Sequence, residues 1–284
     1  MPVPTWPTGL VEVADRAFAY LQEGGGLCVS NAGLIVGDES CIAIDALFAP
    51  SMTQAFRDEI KRVTDKPVRL LINTHHHTDH TQGNALFPEA TILAHANARS
   101  EQQRVGSGVL EWLRPRLPDL VEQASALPQR LPDLTYEGEM SLSFEDRSIQ
   151  LLHLGPAHTI GDTLVVLPDD KLLFAGDIAF FYVTPLGREG NIGAWANVCD
   201  AVDAMPIDRI VPGHGPVAGK PELRETRDYL SLIHTQARTA FDSGQDERAA
   251  TASIDLGLYA SWPEGADRLP LNVQRLYQEF RGEL

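Results

Sequence analysis

The chain holds 284 residues, 43% hydrophobic and 22% charged, a size and balance that can bury a full core and that exclude the disordered and collagen-like classes. A formal net charge of −16, with no Lys/Arg cluster to offset it, repels phosphate backbones and argues against a nucleic-acid enzyme. No apolar run approaches the roughly 18 residues of a membrane span, so no membrane partner is expected.

The opening stretch, "MPVPTWPTGLVEVADRAFAYLQEGGG", has neither a basic start nor an uninterrupted apolar run. It does not read as a signal peptide, and a cytoplasmic protein is expected. "VSNAGLIV" (29–36) and "SCIAID" (40–45) are β-rich and joined by Gly37-Asp38-Glu39, which predicts a hairpin. Met52, Phe56, Ile60 and Val63 recur at helical spacing over 51–63, with Ser51 an N-cap candidate after Pro50. "VRLLIN" (68–73) is almost wholly apolar, as in a strand buried on both faces. A strand at 91–94 and a helix at about 97–104 follow. From about 105 to 135 the pattern loosens, with Pro115, Pro118, Pro128 and Pro132 among short helical stretches, and this segment reads as a lid insertion. The pentapeptide RLPDL occurs twice there, which is too little for a repeat architecture. Strands are predicted at 148–154, 163–167, 171–176 and 207–211, with helices at 193–204 and 221–241 and a helical C-terminal segment over 221–284. Cys28, Cys41 and Cys199 are widely spaced and fit small core residues better than a disulfide framework. The order predicts a single α/β domain over 1–284, with two sheets face to face and helices outside.

The chemistry is concentrated in "NTHHHTDHTQGN" (73–84), which follows the buried strand. In His75-x-His77-x-Asp79-His80, His75 and His77 share a face at the strand end, while His76 turns away toward packing or a supporting hydrogen bond. Asp79 and His80 can meet a second point. Imidazole and carboxylate suit zinc, and also iron or manganese. These four groups do not complete two metal shells, and later strand ends supply more: His158 in "LGPAHTIGDT", Asp177 in "LLFAGD" and His214 in "IVPGHGPV".

The order HxHxDH, GxxHTxGD, FAGD and PGHG resembles the metallo-β-lactamase-fold hydrolase superfamily over about residues 10 to 240. The resemblance implies a four-layer αββα sandwich with the metal site at one edge of the sheets. It implies a dinuclear centre, zinc foremost, in which His75, His77 and His158 hold one ion, Asp79, His80 and His214 the other, and Asp177 bridges both. No cysteine takes the place of Asp177, which looks more like the glyoxalase II, lactonase and thioesterase side of the superfamily. The stretch "GGLCVSNAGLIVG" with the histidine motif is also similar to thioesterase/cyclase enzymes of aromatic polyketide biosynthesis.

The function expected is hydrolysis of an activated acyl carbonyl, a thioester, lactone or related compound, by hydroxide generated on the metal pair, with Asp79 catalytic as well as ligating. The alternatives are ring closure of a polyketide by enolate stabilisation on the same metals, and a mononuclear iron oxygenase on the same fold. The substrate would be a small-molecule or carrier-bound acyl compound. Phe180, Tyr182, Arg188 and Trp112 are candidates to contact it. Asp45 is a candidate to orient the metal loop or to cap a turn, and Asn84 to cap the next helix. Oligomeric state stays open, with a homodimer one option.

Overall fold

A computed structural model describes residues 3–284. Two sheets form the centre. The first has seven strands in sequential order: β1 (Gly9–Ala14), β2 (Ala17–Leu21), β3 (Ala32–Val36), β4 (Cys41–Ile44), β5 (Val68–Ile72), β6 (Thr91–His95) and β7 (Leu134–Tyr136). It is antiparallel from β1 to β4 and parallel from β4 to β7. The second has five: β8 (Glu139–Phe144), β9 (Arg147–Leu152), β10 (Leu164–Leu167), β11 (Leu172–Phe180) and β12 (Arg209–His214). Their spatial order is β12-β11-β10-β9-β8, with β11 and β12 parallel.

Strand alternation sorts side chains between layers. On β11, Leu172 and Phe174 enter the space between the sheets with Ile35, Ile44, Ile72 and Val165, while Leu173 and Ala175 face the outer helices. Outside the first sheet lies α1 (Pro50–Val63), which buries Thr53, Phe56 and Ile60 on one stripe. Outside the second lie α6 (Ile192–Asp203), α7 (Lys220–Asp242), α8 (Glu247–Ser253) and α9 (Gly265–Arg281), with Trp195, Tyr229, Ile233 and Leu276 in their shared core. The result is the expected helix–sheet–sheet–helix layering. Among the described residues, no helix is long and apolar enough to cross a membrane.

Several local expectations change. The hairpin β1–β2 and the edge strand β8 were not predicted; β8 alternates exposed and half-buried residues and carries a weak apolar signal. Helix α1 begins at Pro50, pre-set for a first helical turn, and its N-cap Ala49 makes no side-chain bond, so Ser51 is not the cap. The 105–135 segment carries α4 (Gly108–Leu113) and α5 (Pro118–Ser125), but ends as β7, which pairs with β6. Its Leu110, Leu113, Val121 and Ala124 pack on Cys28, Phe48 and Ala49 as a separate small cluster. Asn84 caps no helix: it exchanges amide bonds with Asn73 at 2.8 and 3.0 Å and donates to Arg130 O at 3.1 Å, tying the histidine loop to this segment.

The sheets approach closely at Gly33, where an added Cβ would lie 2.5 Å from the buried Phe174 ring. Gly33→Val is therefore expected to cost about 1–3 kcal/mol by overpacking, read as a lower urea midpoint; an unchanged midpoint would show that the layers yield freely here.

Candidate metal centre

The site lies where loops leave the C-terminal ends of β5, β9, β11 and β12, along one edge of both sheets. After β5 the chain runs through His75 and His76 to His77, which precedes the short helix α2 (Thr78–Thr81) carrying Asp79 and His80. Asp45, just past β4 at φ +60°, organises this loop. Its carboxylate accepts the Thr74 N–H at 2.8 Å and the Thr74 hydroxyl at 2.7 Å, and meets His80 Nδ1 at 2.7 Å. Thr74 Oγ1 in turn lies 3.1 Å from His75 Nδ1. One carboxylate thus fixes the ring orientation of two histidines, directly for His80 and through a hydroxyl for His75, leaving each Nε2 free to face inward.

The remaining loops are fastened separately. Asp162 accepts the Thr159 N–H at 2.9 Å and its hydroxyl at 2.7 Å, fixing the turn that presents His158. His214 Nδ1 faces the carbonyls of Gly25 and Val29 at 3.0 and 3.1 Å. Asn31 donates to Pro212 O and Gly215 O at 2.9 and 2.8 Å, joining the start of β3 to the His214 turn. Asp177 is inside β11 rather than after it, and Gly213 must be a glycine beside it: an added Cβ would fall 1.8 Å from Asp177 Oδ1.

The seven side chains converge as two sets. His75, His77, His158 and Asp177 form one, and Asp79, His80 and His214 the other, with the ligand-type atoms of each within 4.8 Å of one another. In the first, His77 Nδ1 and His158 Nε2 are 2.9 Å apart. In the second, His214 Nε2 lies 3.3 Å from Asp79 Oδ2. Asp177 stands between them, with Oδ2 at 3.2 Å from His158 Nε2 and 3.5 Å from His214 Nε2, and Oδ1 at 3.1 Å from His80 Nε2.

These residues fit divalent ions. Among the described residues, His75 Nε2 is fully buried with no hydrogen-bond partner, and His80 Nε2 and Asp177 Oδ1, though 3.1 Å apart, are fully buried and form no well-aligned hydrogen bond, an arrangement a cation would relieve. Charge tells the same story. Burial pushes the His158 imidazole down to about 3, against the pull of Asp177, and holds His75 well below the usual histidine range. At His80 burial is outweighed by Asp177, Asp45 and Asp79, and at His214 by Asp177 and Asp79, so both hold protons more tightly than a free imidazole. Asp177 is held well below the carboxylate range: burial raises it, but His214, His80 and His158 prevail. Protons do here what a metal would do better.

A sequence model of the metallo-beta-lactamase superfamily matches residues 25–214. The chain belongs to that superfamily. A 2,4-dinitroanisole O-demethylase alpha subunit of Nocardioides sp. is 30% identical over 80% of this chain and 62% of its own length. A human acyl-coenzyme A thioesterase is 23% identical over 71% of this chain and 79% of its own. Among solved structures, an inverting sec-alkylsulfatase from Pseudomonas sp. superposes with a TM-score of 0.71 at 17% identity, covering 98% of this chain and 51% of its own. The chain thus spans about three fifths of the first relative and half of the sulfatase. Members of the superfamily typically bind divalent metals, and the matched span contains all seven histidines and aspartates of the two clusters.

Above the clusters opens a cleft of about 770 Å³, including its mouth, walled on one side by Val105, Val109, Trp112 and Leu113 of the lid segment. Phe180, Arg188 and Trp112 line it as expected. Tyr182 does not: its hydroxyl meets Glu222 on α7 at 3.3 Å and its ring borders a groove on another face, because the positive-φ backbone at this residue turns it away. Arg188 stacks over Trp112 at 4.3 Å, so the two contact each other across the cleft mouth. Glu189, which no motif singled out, accepts from His76 Nε2 at 2.8 Å and lies 3.6 Å from His77 Nε2.

Asp45→Ala strands both Thr74 and His80, and through Thr74 loosens His75, so it is expected to weaken zinc binding in both sets by about 10–100-fold; competition against a chromophoric chelator checks this, and loss in one set alone would disprove the shared role. Because His80 and His214 hold protons in the empty cage, metal uptake near neutral pH should release protons and apparent affinity should fall as pH falls. Calorimetry in buffers of different ionisation enthalpy reads that release directly.

Proposed function

We propose that this chain is a hydrolase of activated acyl compounds, thioesters foremost, working with two divalent ions, zinc the expected pair. The observation that carries the reading is one carboxylate, Asp177, shared between two histidine-rich sets at the floor of a cleft whose opposite wall is apolar. His75, His77 and His158 would hold one ion, and Asp79, His80 and His214 the other. Bound in such a pair, the ions supply Lewis acidity and bring the pKa of water from about 15.7 toward 7. The likeness to a thioesterase supports the choice of an acyl carbonyl over other electrophiles.

The chain's own residues divide the remaining work. Asp79 faces the cleft and is the carboxylate placed to orient the attacking water and take its proton, which also makes it the catalytic residue proposed here. The carboxylates of Asp79 and Asp177 offset part of the ionic charge and keep two cations tolerable in one pocket. Leu27, Val109, Trp112 and Phe180 exclude water around the acyl chain. The lid segment and the Arg188 loop set how wide the entrance is, and so which small-molecule or carrier-bound acyl group enters.

Purified protein should carry two zinc ions per chain by mass spectrometry, with His158→Ala and His214→Ala each dropping one. Thioester hydrolysis should vanish with a chelator and return with zinc, and Asp177→Asn should lower kcat/KM at least about a hundredfold, equivalent to about 2.7 kcal/mol of barrier. Turnover indifferent to the chelator, or iron accompanied by oxygen uptake, would replace this reading.

A further inference from the structure

Arg268 occupies the first turn of α9, outside the span matched by the superfamily, yet it forms part of the cleft wall beside Asp79, Asp177, His214 and Phe180. It is 3% exposed. A guanidinium carries five N–H donors, and among the described residues this one pairs with a single acceptor, Nη1–H to Thr184 O at 2.6 Å. Its Nε is fully buried without a hydrogen-bond partner and makes only a long ion pair, 3.9 Å to Glu264 Oε2. Thr184 O and this long pair leave the guanidinium short of acceptors for its five N–H groups, so it retains capacity to receive a further anion.

The position of the charge is equally specific. Arg268 Cζ lies 5.7 Å from the Phe180 ring centroid, and Phe180 stacks on the His214 ring at 4.9 Å and 7°. The cation is therefore one aromatic ring away from the second ligand set. The other arginine of the cleft is already engaged, since Arg188 covers Trp112 and lies 3.5 Å from Glu189. Everything else charged on the cleft wall is histidine or carboxylate, including Asp79, Asp177 and Glu189. Beyond the ions the clusters would hold, the wall offers a substrate anion only Arg188 and Arg268, and of these Arg268 lies next to the second ligand set. Glu264 nearby disfavours a dianion there, which leaves a singly charged, planar group able to accept from a guanidinium fork.

We infer that Arg268 is the specificity residue of this cleft and anchors a substrate carboxylate, so that the preferred acyl compound carries a carboxylate in addition to the carbonyl that is attacked. The inference rests on the acyl-hydrolase reading for the identity of the substrate, but the anchor itself can be tested without turnover.

Zinc-loaded protein would be titrated calorimetrically with dicarboxylates from malonate to adipate, each against the monocarboxylate of equal carbon number. One or both carboxylates can meet the ion-binding clusters, so only a gain that depends on Arg268 marks the anchor. At one or more lengths the dicarboxylate should bind about tenfold tighter or more, and Arg268→Gln should bring that ratio within about threefold while monocarboxylate affinity and zinc content hold. Arg268→Lys, which keeps the charge and guards against a glutamine variant that fails to fold, should retain an intermediate ratio. Equal binding at every length in the unmodified protein overturns the anchor, as does a ratio that survives Arg268→Gln. In parallel, the butyryl and glutaryl thioesters of N-acetylcysteamine separate the two claims. Hydrolysis of neither, with the dicarboxylate ratio intact, removes the thioesterase reading and keeps the anchor; equal hydrolysis of both, with no ratio, removes the anchor and keeps the hydrolase.

Discussion

The Asp177 carboxylate is buried among imidazoles with no space beside it, and the rest of the site is arranged around that fact. Oδ1 reaches toward His80 and Oδ2 toward His158 and His214. The Gly213 backbone closes over it where a Cβ could not fit. A carboxylate so placed, 4% exposed at the floor of the cleft, has little room to rotate away, and in a low-dielectric pocket it demands positive charge on both sides. Without ions, that demand is met by protonating imidazoles that burial would otherwise keep neutral. Under the proposed function, two divalent ions would meet it with the ring nitrogens left as lone-pair donors.

Holding seven candidate ligands in register, drawn from the loop and short helix after β5, the turn after β9, the interior of β11 and the end of β12, takes a framework that neither sheet provides alone. Asp45, at the end of β4, sets the orientation of one histidine in each ligand set. Asn31, at the start of β3, reaches across to the turn of His214, which follows β12 of the other sheet. Both sheets are therefore fastened at the edge where the site lies, and the apolar layer between them, with Phe174 pressed against Gly33, fixes their spacing. A slip of the layers would move His214 relative to His75 and pull the two sets apart. Packing and ligand geometry are in this sense one constraint.

The sequence was most legible where physical requirements leave a short-range mark. Metal ligation needs particular side chains in tight turns, so His75, His77, Asp79, His80, His158, Asp177 and His214 all stood out, and all lie in the two clusters. Strands buried on both faces, such as β10 and β11, were visible as apolar runs, whereas β5, expected to be buried on both faces, leaves Arg69 exposed and buries only Leu71 and Ile72 fully. The edge strands β1 and β8 were not, because edge strands keep one face in solvent and mix polar with apolar residues, and β2, though buried and apolar, was not picked out without its partner β1. The supporting groups were harder still. Glu189 in "GREGN" looks like an ordinary surface acid, and Arg268 looks like the polar face of an amphipathic helix. Nothing local marks either one; their roles come from what the fold places beside them. Tyr182 shows the converse error, since adjacency to Phe180 in sequence says nothing about direction when the backbone takes a positive φ between them and the helix beyond.

The distribution of these hidden residues has a physical reason. All seven candidate ligands lie in the segment 25–214 matched by the superfamily, as expected if an ion accepts few donor types and few angles. Walls around a substrate face no such restriction: any surface of suitable shape and charge will serve, and it can be supplied by whatever chain is free to reach the cleft. In this protein the lid helices α4 and α5 arrive from one side, pinned by Gln82 to Ala124 O at 2.8 Å, and α9 arrives from the other with a buried cation. Neither wall needs a motif, so neither announces itself. The candidate metal site is thus built from residues that sequence patterns reveal, while under the proposed function the choice of substrate would fall to residues whose meaning appears only when α9 and the lid wall the same cleft.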